Sequence, residues 1–162
     1  MILSDRDIKK ALRSGKIKIT PKPDLAVQLG SCMIDLTLGH TFRVFNHSKT
    51  PYLDPKNPKT LEAATAEVVI LDKDAFILHP GEFVLASTLE SITLPDDIVG
   101  RLEGKSSLGR IGLLIHSTAG YVDPGWRGQL TLELSNVAKL PVTLYYGMKI
   151  GQMSFLRLTS PV

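Results

Sequence analysis

Cysteine is almost missing from this chain: Cys32 stands alone among 162 residues. One thiol can form neither a disulfide framework nor a cysteine-based zinc site, so both are excluded. Trp126 is the one tryptophan, and it reads as a packing anchor before a base-stacking platform. No apolar run approaches the roughly 18 residues of a membrane span. The start, Met1-Ile-Leu-Ser-Asp-Arg, has no secretory apolar core. Charge of one sign is also scarce. A net charge of +3 is too small to claim a nucleic-acid surface, and a few local cations serving an anionic small molecule suit it better. These absences point to a cytoplasmic enzyme or binding module that engages neither nucleic acid nor membrane.

What is present is ordinary for a soluble globular protein, 43% hydrophobic and 22% charged residues. The length allows a single domain over residues 1–162 with a core of its own. Ser4 to Gly15 reads as the one clear helix, with Ser4 as N-cap, Asp7 three residues on, and Ile8, Ala11 and Leu12 on one face. The period then changes to two. Met33–Leu38 and Thr41–Phe45 flank Gly39-His40 as a predicted hairpin. Residues 46 to 66, rich in Pro, Lys, Asn and Asp, read as a surface insertion. From residue 67 short strands, Phe83–Thr88 and Ser91–Leu94 among them, alternate with turns such as His79-Pro-Gly81 and Pro95-Asp-Asp97. Many short strands with one helix predict an all-β sandwich or barrel.

The most informative stretch is Arg101-Leu-Glu-Gly-Lys-Ser-Ser-Leu-Gly-Arg110. It reads as a strand ending at Gly104 and a short helix beginning at Ser106-Ser107, whose free N–H groups can hold a phosphate. Lys105 and Arg110 add positive charge. A P-loop is excluded, because Gly100 and Gly104 enclose three residues where that motif has four.

Other candidates carry two readings each. In Leu130-Thr-Leu-Glu-Leu134 the leucines take one face and Thr131, Glu133 and Ser135 the other. Glu133 is then either a solvated acid or a carboxylate in a partly closed pocket able to move protons. Asp123, before Pro-Gly, is a common turn former. His79 and Glu82 flank Pro-Gly in a turn read as a hairpin, without the one-face geometry of a zinc helix. His116 ends an apolar strand as a core or pocket-edge residue.

Taken together, Gly104-Lys-Ser-Ser-Leu-Gly-Arg110, His116-Ser-Thr-Ala-Gly-Tyr-Val-Asp-Pro-Gly-Trp126, Leu132-Glu-Leu-Ser-Asn136 and Gly147-Met-Lys-Ile-Gly-Gln152 resemble the dCTP deaminase family, of the dUTPase-like superfamily. Leu3-Ser-Asp-Arg-Asp7 and His79-Pro-Gly-Glu-Phe83 extend the likeness over nearly the whole chain. The resemblance implies a distorted, dUTPase-like (β-clip) barrel with one N-terminal helix and short helical turns, assembled as a homotrimer with active sites between subunits. By similarity Glu133 is the general base for water attacking C4 of cytosine, and Arg110 pairs with it. Ser106 and the backbone of Ala119 position that water. Lys105, Ser106 and Ser107 lie against a triphosphate carried with Mg²⁺. Thr118, Ala119, Gly120, Tyr121, Val122 and Asp123 hold base and deoxyribose. No zinc is implied, since zinc deaminases need a Pro-Cys-x-x-Cys motif.

Two features of the resemblance bear on a second step. Gly120-Tyr121 stands where strictly deaminating relatives carry His-Arg, and Gln152 also follows the dUTPase pattern. Both imply the dUMP-forming kind, which goes on to cleave dUTP to dUMP and diphosphate for thymidylate synthesis. The resemblance also allows dTTP as an inhibitor. Family members continue past the Leu158–Pro161 region into a tail that closes over the nucleotide, which the sequence to Val162 does not include; without it the triphosphate would be incompletely covered. The alternatives are a deaminase stopping at dUTP, a plain dUTPase and a non-catalytic nucleotide-binding barrel.

Overall fold

The computed structural model describes residues 1–46, 48 and 50–162; residues 47 and 49 of the expected insertion lie outside the described residues. Among the described residues four helices are interspersed with the strands: α1 (Asp5–Arg13), α2 (Leu25–Gln28), α3 (Pro58–Ala64) and α4 (Ser106–Gly109). The first strands are β1 (Lys18–Thr20), β2 (Met33–Phe45), β3 (Thr65–Val69), β4 (Ala75–Leu78), β5 (Phe83–Thr93) and β6 (Ile98–Gly104). Then follow β7 (Leu113–Leu114), β8 (Tyr121–Val122), β9 (Arg127–Asn136), β10 (Val142–Tyr145) and β11 (Lys149–Arg157). The all-β, barrel-like architecture expected from the strand pattern is present as a curled half-barrel.

The main sheet runs β7-β9-β5-β2-β11-β6-β8, with β1 added on β5 and β3 on β2, while β4 and β10 form a separate pair. The alternation read in the sequence decides which face is buried. Leu132 and Leu134 of β9, Leu36 and Leu38 of β2, and Ile150 and Met153 of β11 are all at 0% exposure. Each such side chain contributes about 1.5–3 kcal/mol relative to leaving it in water. Helix α1 turns Ile8 and Ala11 inward. It keeps Asp5 and Asp7 in its first turn and Lys10 and Arg13 in its last, matching the helix dipole. Ser4 occupies the N-cap as expected, yet its hydroxyl makes no capping bond.

Three local expectations are corrected. Gly39-His40 does not turn the chain, because β2 runs unbroken from Met33 to Phe45 with a register shift between Leu38 and Phe42. Glycine is needed there for close approach: a Cβ on Gly39 would lie 3.0 Å from Ser87 Oγ and 3.1 Å from the Ser87 carbonyl. His79-Pro-Gly81 is a turn but closes no hairpin. The strand before it pairs with β10, and the strand after it pairs with β2, β9 and β1. The segments Phe83–Thr88 and Ser91–Leu94 merge into one strand, β5, with a register shift against β9 between Ser87 and Ser91. The expected surface insertion contains a helix, α3, begun by Pro58.

Candidate active site

Strand β6 ends at Gly104, and Lys105 caps α4 with its carbonyl accepting from Leu108 N–H (3.0 Å) and Gly109 N–H (2.9 Å). The predicted strand–turn–helix around Ser106 is therefore present. Ser106 and Ser107 are exposed. Lys105 instead turns inward, and its ammonium donates to Asp35 Oδ1 at 2.6 Å. Gln152 Nε2 donates to the same oxygen at 3.0 Å, and Lys149 Nζ lies 2.9 Å from Asp35 Oδ2. Asp35 is only 8% exposed. Burial pushes its carboxyl up, but the hydrogen bonds from Lys105, Lys149 and Gln152 outweigh that and hold it below the ordinary aspartate value.

Lys105, expected at the triphosphate, and Gln152, which follows the dUTPase pattern, are thus fixed by one carboxylate that the sequence motifs do not mark. The signal for it was available. Asp35 is an acid set between Ile34 and Leu36 in a strand whose neighbours are buried, and an acid in such a setting is expected to have found cations. Lys149 also donates to the Val27 carbonyl at 2.6 Å, tying α2 to this cluster.

A second group forms around Glu133. Leu130, Leu132 and Leu134 are buried as the alternation requires, while Glu133 is half-buried. Its backbone N–H donates to the Ile115 carbonyl at 2.9 Å, and its Oε2 accepts from Ser117 N–H at 3.1 Å. The first bond ties the Glu133 backbone, and the second its carboxylate, to the segment leading into Thr118–Asp123. Of that segment Thr118, Ala119, Tyr121 and Asp123 are exposed, Gly120 is half-buried and Val122 is buried. Strand β8 pairs Tyr121 with Arg101 and Val122 with Gly100 of β6. The Gly120 carbonyl accepts from Leu102 N–H at 2.7 Å. A Cβ on Gly120 would meet the Leu102 carbonyl at 3.0 Å and His116 Cε1 at 3.2 Å, so glycine permits this close approach. The Arg101 guanidinium lies 5.6 Å from the Tyr121 ring centroid. Bonding to Glu103 raises the Arg101 pKa.

A cavity of about 300 Å³ lies beside Lys105, with Ser106, Ile115 and His116 also in its wall. His116 Nδ1 is buried with no hydrogen-bond partner among the described residues. Arg110 lies apart. It is exposed at the end of α4, makes no ion pair among the described residues, and helps line a larger cavity of about 710 Å³ with Ile111, Val137 and Leu140. One chain therefore brings Glu133 to the hairpin and Lys105 to Gln152, but not Arg110 to Glu133.

The described residues contain no group of three or more His, Cys, Asp or Glu placed to hold a metal ion, and no helix long and apolar enough to cross a membrane. Chemically, the arrangement offers a lysine and exposed hydroxyls at the start of α4 and, separately, a half-buried carboxylate held to the segment before the 118–123 hairpin.

Known proteins are similar to this chain over nearly its whole length. A family model described as dCTP deaminase-like matches residues 2–158. The chain is 55% identical over 161 residues to a dCTP deaminase of Thermomicrobium roseum, covering 99% of this chain and 82% of that protein. It is 58% identical over 161 residues to a dUMP-forming dCTP deaminase of Corynebacterium jeikeium, covering 99% of this chain and 84% of that one. Among solved structures, a 2'-deoxycytidine 5'-triphosphate deaminase from Agrobacterium tumefaciens superposes with a TM-score of 0.73 at 24% identity, a likeness of fold. That match covers 95% of this chain and 46% of the other.

Proposed function

This chain belongs to the dCTP deaminase-like family, and from that membership we propose that it hydrolyses dCTP at cytosine C4, releases ammonia, and then cleaves the dUTP so formed to dUMP and diphosphate. The observation that carries the site assignment is the fastening of Glu133 to Ser117 N–H beside the Thr118–Asp123 hairpin. A carboxylate so held can take a proton from water as the water adds to C4, and return it to the departing nitrogen. The C4–N bond then breaks, ammonia leaves, and a carbonyl remains at C4. In the second step water adds to the α-phosphorus, the α–β bond breaks and diphosphate leaves. Gly120 and Tyr121 at the hairpin and Gln152 on the Asp35 cluster support the two-step reading.

Lys105, Ser106 and Ser107 are proposed to meet the triphosphate. The two hydroxyls are exposed, and Lys105 lines the same cavity. Magnesium fits as an ion that enters on the nucleotide. The donor set among the described residues offers no three-acid cage, and Mg²⁺ is commonly held through substrate phosphates; when bound it would neutralise phosphate charge. Ser106 and the Ala119 backbone would place the attacking water, and Val122 and Asp123 would bound the sugar. Arg110 is proposed to meet its carboxylate or phosphate across a boundary between copies of the chain, in a homotrimer. Its exposure beside Ile111 and Val137, 50% and 67% exposed, supports that reading. We place the enzyme in the cytoplasm, with dTTP as a competing ligand of the same nucleotide site.

The test follows dCTP and Mg²⁺ with the protein by an ammonia assay and by phosphorus NMR. Ammonia together with diphosphate and dUMP is expected. Diphosphate from dUTP without ammonia from dCTP would make the protein a plain dUTPase, and accumulating dUTP would remove the second step.

A further inference from the structure

Glu90 has no place in the chemistry above, yet it is the most deeply buried acid among the described residues, 2% exposed on β5. No cation faces it. Its Oε2 accepts from Thr37 N–H at 2.9 Å, and its Oε1 accepts from the Thr37 hydroxyl at 2.8 Å and from Gln28 Nε2 at 3.3 Å. Gln28 Nε2 also donates to the Asp35 carbonyl at 3.0 Å, while Gln28 Oε1 accepts from Asp24 N–H at 2.9 Å, which fixes the amide's orientation.

The backbone explains why side chains are needed there. Residues 33–37 of β2 pair on one edge with β11, through Thr37 with Lys149 and Asp35 with Gln152. On the opposite edge β5 pairs from Leu38 onward, so the ladder has ended before Asp35 and Thr37. The Asp35 carbonyl and Thr37 N–H, two residues apart and on that same edge, would be left without strand partners. Gln28 and Glu90 supply them. An acid buried without a cation is costly unless fully hydrogen-bonded, and all of its bonds here go to the stretch that carries Asp35 and to the residue that holds Asp35.

We propose that Glu90, with Gln28, is a positioning residue for nucleotide binding: it replaces the missing strand edge beside Asp35 and so aims the Asp35 carboxylate at Lys105, Lys149 and Gln152. This rests on the reading of Lys105 and Gln152 as nucleotide contacts. Glu90 touches no reacting atom, so its loss acts through Asp35 on phosphate grip and not on the proton transfer at C4.

The experiment compares Glu90→Gln, Asp35→Asn and the double variant with the wild type. Glu90→Gln keeps size but turns one acceptor into a donor, so one of Thr37 N–H and Gln28 Nε2 loses its bond. KM for dCTP and the Kd for inorganic tripolyphosphate, a phosphate-only probe, are each expected to rise about tenfold, with kcat for ammonia release changed less than about threefold. In the Asp35→Asn background the same substitution should add less than about twofold to either constant, because the route through Asp35 is already cut.

Unchanged constants in Glu90→Gln overturn the proposal, as does an effect that multiplies fully onto Asp35→Asn. Should Glu90→Gln fail to fold, Gln28→Ala, at a half-buried position, must show the same KM-selective loss. A wild type inert toward dCTP would sink the enzymatic reading but not this one. Carboxyl NMR titration of Asp35 then decides: a rise of its pKa in Glu90→Gln supports the positioning role, and an unmoved titration overturns it.

Discussion

Replacing Glu133 by Gln separates catalysis from folding. The amide has the shape of the acid, and its oxygen can still accept from Ser117 N–H, the bond now made at 3.1 Å. The Glu133 N–H bond to the Ile115 carbonyl and the burial of Leu132 and Leu134 do not depend on the side-chain charge. What is lost structurally is the difference between a charge-assisted and a neutral hydrogen bond, about 1 kcal/mol. For a chain of this size that lowers Tm by about 2–4 °C, read at fixed protein concentration because assembly would shift it. What is lost chemically is the proton acceptor for the attacking water, about 100- to 10,000-fold in rate, or about 3–5 kcal/mol of barrier. The assay is ammonia release from saturating dCTP and Mg²⁺, with nucleotide affinity measured separately by calorimetry. Affinity is expected within about threefold of wild type, since the acid acts in the transition state more than in the bound ground state. Ammonia release within about tenfold of wild type would refute the assignment of the base. A rate loss accompanied by a Tm fall above about 10 °C would mean the variant reports folding instead.

Arg110→Ala should leave stability within about 0.5 kcal/mol, because the side chain is exposed and makes no ion pair among the described residues. It should also cut kcat/KM at least about 100-fold; an unchanged rate removes Arg110 from the site. Gly120→Ala puts a Cβ 3.0 Å from the Leu102 carbonyl and 3.2 Å from His116 Cε1. KM for dCTP should rise severalfold at a stability cost of about 1 kcal/mol, and unaltered kinetics would show that the hairpin does not touch the nucleotide. Asp35 has a carboxyl held below its unfolded value, so the stability it adds is present above about pH 4 and is lost as pH falls through the folded value. Urea melts of wild type and Asp35→Asn should therefore converge as pH drops from 6 to 3, and a gap that stays constant or widens contradicts the ion-pair account.

The legible part of the fold was periodic. Leucines at every second position of β9 and the i, i+3, i+4 face of α1 identify buried surfaces without any knowledge of their partners. The turn after Gly104 was legible too, because a strand, a lysine and paired serines can be recognised locally. Partner choice was not. Gly39-His40 has the letters of a hairpin turn, and only the proximity of Ser87 reveals a glycine chosen for close approach. His79-Pro-Gly81 turns the chain as its letters require, but which strand meets β4 depends on Val142–Tyr145, more than sixty residues away. In the site, family motifs brought Lys105, Gln152 and Glu133 forward. Asp35 and Glu90 stayed hidden because their value lies in contacts with residues distant in sequence, at Lys105, Lys149 and Thr37.

The placement of β11 between β2 and β6 governs how the molecule can be made. The strand bearing Asp35 is synthesised within the first 45 residues, but the lysine and glutamine that complete its surroundings arrive only from residue 149 onward. Until then a nascent chain carries two unsatisfied strand borders, one on either side of an absent neighbour, and such borders invite pairing with foreign strands. Translation halted after Asn136 would yield a β5–β9 layer able to pack its leucines, with Lys105 but neither Lys149 nor Gln152 available to the buried aspartate.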